Sequence, residues 1–153
     1  MIKFIHKSTR LSCNLLEAYR MFTIQDKVKL WLSETCFINK EKFEIKIEYN
    51  NLFIDTAKSR IIENEYEKRL TINWIEKSKN IDSIVKINFM TCSQRAVNCV
   101  ELHIIHKGLN EENFLFYDNF WKEALESLRY YYNKDWIIQN GDLTLTKLTG
   151  RGL

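Results

Sequence analysis

The feature that most constrains the fold is a long amphipathic segment near the end of the chain, from Asn113 to Tyr132. Its large apolar residues recur at spacings of three and four, the period of an α-helix with one buried face. They are Tyr117, Phe120, Trp121, Ala124, Leu125, Leu128, Tyr131 and Tyr132. A helix of this length is about 30 Å long, which is enough to cross a small domain. Its apolar face therefore has to be covered by the rest of the protein.

Most of the chain before this helix alternates between apolar and polar residues, as half-buried β-strands do. Four strands have a clear core side. Their core residues are predicted as Phe43, Ile45, Ile47 and Tyr49; Leu70, Ile72 and Trp74; Val85, Ile87, Phe89 and Thr91; and Val100, Leu102, Ile104 and His106. A brief strand is predicted at 35–39. Another is predicted at 53–62, with an ambiguous register because apolar residues occupy both parities.

The first part of the chain predicts one strand and two short helices. The strand covers Ile2 to Ser8 and places Phe4 and His6 on the same side as Ile2. The first helix begins with Asn14 followed by Glu17, a spacing typical of a capping box. We expect Thr23 to cap the second short helix.

The resulting order is strand, two short helices, about six consecutive strands and a long helix. Sequential strands with short connections pair as an antiparallel meander. We therefore predict an α+β fold in which a curved antiparallel sheet of about six or seven strands wraps around the long C-terminal helix. Asparagines have to form turns, because the chain has no proline and its first glycine is Gly108. Asn80 is one candidate.

Length and composition predict one globular domain. The 153 residues contain no Pro/Gly/Ser-rich linker and are 45% hydrophobic. We place the domain at 1–133 and a C-terminal tail at 134–153. The net charge of +3 comes from interleaved acidic and basic residues, which argues against nucleic-acid binding. No run approaches the ~18 apolar residues of a membrane span, and the charged N-terminus is no signal peptide, so we expect a cytoplasmic protein.

The four cysteines show no CxxC spacing, so neither a zinc knuckle nor a dithiol redox motif is indicated. For a cytoplasmic chain the favoured interpretation is reduced, mostly buried thiols. The alternative is a disulfide between Cys92 and Cys99, which a hairpin would place opposite each other.

Four short motifs resemble the START-like, or SRPBCC, superfamily, and within it the proteins similar to the activator of the ninety-kilodalton heat-shock chaperone ATPase. They are Trp31 at the end of the second short helix, Arg69-Leu70-Thr71-Ile72-Asn73-Trp74, the turn His106-Lys107-Gly108-Leu109, and Phe120-Trp121 followed by Leu125 and Leu128. The chain departs from the resemblance at Asn39-Lys40-Glu41-Lys42, where a Gly-Gly is usual, and at Phe120, where a glycine commonly precedes the Trp. The resemblance implies a helix-grip fold, with a cavity between the sheet and the last helix.

The residues on the inward-facing sides of the strands and of the last helix are predicted to line that cavity. They are Trp74, Phe89, Ile104, His106, Trp121, Leu125 and Leu128. Such a cavity is mostly apolar, so the first hypothesis is a non-catalytic protein that holds a hydrophobic, lipid-like or polyketide-like small molecule. The resemblance implies two alternatives: a co-chaperone-like module that meets a chaperone, and a cavity enzyme of the cyclase or dehydratase type. The enzyme is the least favoured, and the sequence does not predict the oligomeric state.

No cofactor, metal site or catalytic residue is predicted. His103 and His106 have opposite parities on one strand, so they cannot face the same site. His6 and His106 are expected to approach if their strands pair, but no third ligand completes a metal set. His106 has two interpretations, a polar contact at the cavity mouth or a structural histidine, and the second is favoured. Glu101 is expected to face outward and Asp118 to be exposed.

Overall fold

The computed structural model describes six ranges of the chain. They are residues 4–32, 37–39, 44–47, 57–76, 79–92 and 98–139. Within them the order of elements is a strand, two helices, six strands and a long helix, as predicted. The strands are β1 (Phe4–Leu11), β2 (Phe37–Asn39), β3 (Glu44–Ile47), β4 (Ala57–Glu65), β5 (Arg69–Glu76), β6 (Ile81–Thr91) and β7 (Val100–Lys107). The helices are α1 (Leu15–Thr23), α2 (Gln25–Trp31) and α3 (Glu111–Gln139).

The seven described strands form one antiparallel sheet in the order β1-β7-β6-β5-β4-β3-β2. Strands β2 to β7 follow one another as a meander, and β1 joins the far side by pairing with β7. Helix α3 lies against β1 and contacts α2, while α1 packs against β6. The core therefore lies between one face of the sheet and the three helices. This confirms the predicted α+β helix-grip architecture.

Three strands have the core sides predicted for them, apart from Thr91, which is exposed. On β5, β6 and β7 the alternating apolar residues are buried against the helices. The core side of β1 was predicted wrongly. Ile5 is 1% exposed and Phe4 is 52% exposed, so the buried parity is the one opposite to Phe4 and His6. The error arose because Phe4 is large and apolar yet lies on the outer face. The predicted core residues Phe43 and Tyr49 lie outside the described residues.

The ambiguous register of the fourth strand has a physical cause. The pairing of β4 with β5 shifts between Ile61 and Glu63, as at a β-bulge. Ile61 is consequently 9% exposed, whereas its neighbour Ile62 is 54% exposed. An extra residue changes the parity within the strand, so one alternating pattern cannot fit both halves.

Local sequence signals predicted some helix ends correctly and others wrongly. The backbone N–H of Glu17 donates to Oδ1 of Asn14 at 2.8 Å, which confirms the predicted cap of α1. The predicted cap of α2 was wrong: Thr23 is the last residue of α1, and its hydroxyl donates back to the Tyr19 carbonyl. Helix α3 extends to Gln139, seven residues beyond the predicted end at Tyr132. It runs through the predicted domain boundary at 133, which stays a prediction.

Three turns of the described chain contain a residue with left-handed backbone: Glu67, Asn80 and Gly108. Asn80, between β5 and β6, has φ of 53°, as expected for an asparagine turn. Gly108, between β7 and α3, has φ of 90°, a conformation that residues with a Cβ atom rarely adopt. The turn at Gly108 sends the chain back across the sheet as α3.

Candidate functional site

The inner face of α3 forms the centre of the candidate site. Its six predicted core residues from Tyr117 to Leu128 are all buried. Tyr131 and Tyr132, one turn further on, are half-buried and pack against the core. This face meets the aromatic side of β5, where the ring of Trp74 lies 5.5 Å from the ring of Trp121 and 5.9 Å from that of Phe120. The helix and the sheet are therefore joined by aromatic side chains.

An apolar cavity lies beside this aromatic contact. Its volume is about 20 Å³, measured as the space open to the centre of a water molecule, which is room for about one water. It is lined by Phe22, Val28, Trp31, Leu32, Ile72, Trp74, Ile87 and Trp121. All three helices and the two strands β5 and β6 contribute to this apolar cavity.

None of the three indole N–H groups around the cavity is free to bind a ligand. Trp31 donates to the Met21 carbonyl at 2.7 Å. Trp74 donates to the Tyr117 hydroxyl at 2.9 Å, and Trp121 donates to Nδ1 of His106 at 3.0 Å. An indole has a single donor, so each tryptophan presents only carbon surface to the cavity.

His106 is held by a hydrogen-bond chain that fixes its tautomer. Because Trp121 can only donate, Nδ1 of His106 accepts, and the ring proton lies on Nε2. Nε2 then donates to Oγ of Ser83 at 2.8 Å, and Ser83 donates to the Trp74 carbonyl at 3.0 Å. Burial lowers the pKa of His106 to about 3. The imidazole is therefore neutral, and both of its nitrogens have a hydrogen-bond partner.

A buried carboxylate continues this network on the other side of Trp74. The Tyr117 hydroxyl, which accepts from Trp74, donates a short hydrogen bond to Oε2 of Glu76. Burial, followed by the bond to Glu76, raises the pKa of Tyr117. Glu76 is 0% exposed; its other oxygen has no hydrogen bond and lies 3.8 Å from Nζ of Lys79. Lys79 in turn lies 3.4 Å above the ring of Phe116.

The predicted lining residues separate into two groups. Trp74 and Trp121 line the apolar cavity. The other five, Phe89, Ile104, His106, Leu125 and Leu128, are all buried but lie outside its lining. A ligand role for any of the seven stays a prediction.

Sequence reasoning missed the polar residues of the network. Glu76 continues the parity of Ile72 and Trp74, and Ser83 precedes Val85 on the same side of its strand. Alternation alone would have placed both in the core. They were overlooked because charged and hydroxyl side chains are usually assigned to the surface.

On the outer face of the sheet, the histidines pair differently from the expectation. Strand β1 does pair with β7, but Ile5 lies opposite His106 and His6 lies opposite Ile105. The ring of His6 consequently contacts His103, not His106. The expected approach of His6 to His106 was therefore wrong, because the parity of β1 had been misassigned.

The remaining acidic candidates lie at the surface. Glu101 faces outward, as expected, and accepts from Nε2 of His103 at 3.1 Å. Asp118, with its side chain 40% exposed, is paired with Nζ of Lys7 at 2.9 Å. Within the described ranges, no three His, Cys, Asp or Glu side chains group as a metal set.

Cys92 and Cys99 form a disulfide. The favoured interpretation of reduced thiols was wrong for this pair. Thr91 lies opposite Val100 at the end of the β6–β7 pairing, so the next residues face each other with their Cα atoms 5.4 Å apart. Cys13 is a free, buried cysteine, and burial raises its thiol pKa to about 12.

No helix among the described residues is long and apolar enough to span a bilayer, and a cytoplasmic location stays a prediction.

The architecture matches known structures, although the sequence alone matches little. No family model and no curated protein matches the chain. The solution structure of the Aha1 dimer from Colwellia psychrerythraea is similar, with a TM-score of 0.69 and 13% identity over 85% of this chain and 96% of that one. This likeness shows that the chain shares its helix-grip fold with that structure.

Two further solved structures show how broad this likeness is. An HSP90 activator from Plasmodium falciparum has a TM-score of 0.61 and 14% identity, over 89% of this chain and 96% of that one. CalU16 from Micromonospora echinospora has a TM-score of 0.60 and 17% identity, over 99% of this chain and 92% of that one. At these identities the likeness establishes the fold and not the activity.

Proposed function

We propose that the protein binds the hydrocarbon part of a lipid-like or polyketide-like small molecule in the apolar cavity, without catalysing a reaction. The single observation that carries this proposal is the state of the three indoles that line it. Each N–H is already bonded to Met21, Tyr117 or His106, so the walls offer no polar group to a ligand. Affinity therefore comes from apolar contact and shape.

The small volume indicates how a ligand enters. Space for about one water does not hold a lipid chain, so a wall has to move. We assign this movement to α2, which contributes Val28 and Trp31 to the cavity. It is seven residues long and has no side-chain cap at its N-terminus, which makes it the least stabilised wall by its own local structure.

A matched pair of substitutions on α2 tests the proposal. Val28→Phe fills the cavity, whereas Leu30→Phe adds the same ring at a position that is 50% exposed. Dodecanoate is titrated into ¹⁵N-labelled protein, and the indole N–H signals of Trp31, Trp74 and Trp121 are followed. We expect saturable shifts in the wild type and in Leu30→Phe, and their loss in Val28→Phe.

The milder substitution Val28→Leu, which adds one methylene, covers the case in which the phenylalanine prevents folding. It is expected to weaken dodecanoate binding without abolishing it. Equal affinity in the wild type and the filled variants would overturn the proposal, as would indole signals that do not respond to dodecanoate in the wild type.

A second candidate function is that of a co-chaperone-like interaction module. The observation that favours it is the likeness to the Aha1 dimer and to an HSP90 activator. Addition of the protein to an Hsp90-type chaperone, with its ATPase rate as the readout, tests this role. A rise in the rate that persists in Val28→Phe would support an interaction role independent of the cavity.

The third candidate, a cavity enzyme, has less support. His106 has no free nitrogen, and Asp118 is paired with Lys7 at the surface. Neither side chain lines the apolar cavity. His106 and Asp118 therefore do not contact the space in which a substrate would lie.

A further inference from the structure

The two outer-face histidines, His6 and His103, form a pair that the proposed function does not use. Nε2 of His6 lies 2.9 Å from Nδ1 of His103. Nε2 of His103 lies 3.1 Å from Oε1 of Glu101. His6 is exposed, and the side chain of His103 is 21% exposed, so solvent reaches the pair.

The carboxylate sets the proton arrangement of the neutral pair. Glu101 can only accept, so His103 carries its proton on Nε2 and keeps a lone pair on Nδ1. That lone pair accepts from Nε2–H of His6. An imidazole whose outer N–H is held by a carboxylate, so that its other nitrogen carries the lone pair, is the arrangement commonly found at protein metal sites.

We propose that His6 and His103 bind a late first-row divalent cation, Cu²⁺ or Ni²⁺, with Glu101 as the supporting carboxylate. Two nitrogens at about 2.05 Å from one ion and at a right angle to each other are about 2.9 Å apart. In the hydrogen-bonded pair the two nitrogens are 2.9 Å apart, so after the rings turn both are within reach of one ion. Neighbouring positions at a right angle are typical of square-planar and tetragonal Cu²⁺ and Ni²⁺.

Binding requires rotation of side chains and leaves the strands in place. The two nitrogens now point at each other through a hydrogen bond, so the rings have to turn for both lone pairs to meet one ion. His6 loses the proton on Nε2 and gains one on Nδ1, so both imidazoles stay neutral and no net proton is released. Water completes the coordination, because the described residues provide no third His, Cys or acidic ligand.

Isothermal titration of Cu²⁺ and of Ni²⁺ into the full chain at pH 7.5 tests the site. We expect one equivalent of either ion to bind. His6→Ala and His103→Ala are each expected to weaken binding by more than tenfold, and Glu101→Gln by about tenfold. Glu112→Gln, an exposed carboxylate at the start of α3, is the matched control and should bind like the wild type.

A second measurement locates the ion. Substoichiometric Cu²⁺ should broaden the amide signals of the residues around His6 and His103 before any others. Unchanged affinity in both alanine variants, or broadening confined to the N-terminus, would show adventitious binding and overturn the proposal. All three substitutions are at the sheet surface, so circular dichroism is expected to show an unchanged fold.

Discussion

The indole N–H of Trp121 donates to Nδ1 of His106 at 3.0 Å, and this bond requires the imidazole to be neutral in the folded protein. Protonation of Nδ1 would place two donors against each other inside the core. The burial that lowers the pKa of His106 to about 3 acts in the same direction. Folding and protonation of this residue are therefore coupled.

The first prediction is that His106 makes stability depend on pH. An unfolded histidine titrates near 6.5, so below that pH the unfolded chain takes up a proton that the folded protein excludes. The contribution of neutral His106 to the free energy of unfolding is fully present above pH 6.5 and is lost as the pH falls towards 3. The free energy of unfolding should fall by about 1.4 kcal/mol per pH unit in this window. Urea unfolding at a series of pH values measures it.

The control is His106→Gln, whose amide can accept from Trp121 and donate to Ser83 but does not titrate. Its stability should fall less steeply between pH 6.5 and 4.5 than that of the wild type. A histidine signal of ordinary pKa, followed by NMR and assigned to His106 in the folded protein, would contradict the mechanism.

The second prediction concerns the buried carboxylate. Tyr117→Phe removes the hydroxyl that accepts from Trp74 and donates to Glu76, so two buried polar groups lose their partner. We expect a loss of about 2 to 4 kcal/mol in the free energy of unfolding, measured in urea.

The matched control for Tyr117→Phe is the same change on the same helix. Tyr132→Phe removes a 3.3 Å hydrogen bond to the Glu17 carbonyl at a half-buried position and should cost about 1 kcal/mol or less. Equal losses for the two variants would mean that Glu76 does not depend on the tyrosine.

The third prediction is that the disulfide between Cys92 and Cys99 forms in the purified protein. Alkylation after unfolding without reductant should leave these two cysteines unlabelled in mass spectrometry. The bond closes a loop with a sequence separation of 7, for which loop entropy predicts about 2 to 3 kcal/mol of stability. Dithiothreitol should lower the Tm of the wild type and leave that of the Cys92→Ser/Cys99→Ser variant unchanged. Labelling of both cysteines without reductant would contradict the predicted disulfide.

Residue patterns predicted the architecture because burial is periodic. The spacing of Tyr117, Trp121 and Leu128 identified the inner face of α3, and alternation identified the core sides of β5 and β7. Alternation failed where the pattern itself was misleading. Phe4 is apolar but exposed, and the bulge after Ile61 changes parity inside one strand.

The candidate site was less predictable, because it depends on distances between strands. The sequence identified Trp74 and Trp121 as inward-facing but not the bonds that occupy their N–H groups. The pairing of His6 with His103 follows from the register of β1 on β7. A pairing register shifted by one residue would have turned the other face of β1 toward the core, and no local pattern near His6 excludes that register.

The fourth prediction tests how the turn after β7 supports the buried network. Gly108 has φ of 90°, and a Cβ atom added there would lie 3.4 Å from Cα of Ser83, the residue that accepts from His106. Gly108→Ala therefore introduces backbone strain in a turn that contacts the network, and we expect a loss of about 1 to 2 kcal/mol. Gly108→Asn should cost less in backbone strain, because asparagine tolerates the left-handed region better. If the strained turn displaces Ser83 and with it His106, the indole signal of Trp121 should shift in Gly108→Ala. An unperturbed signal together with full stability would show that the turn does not constrain the network.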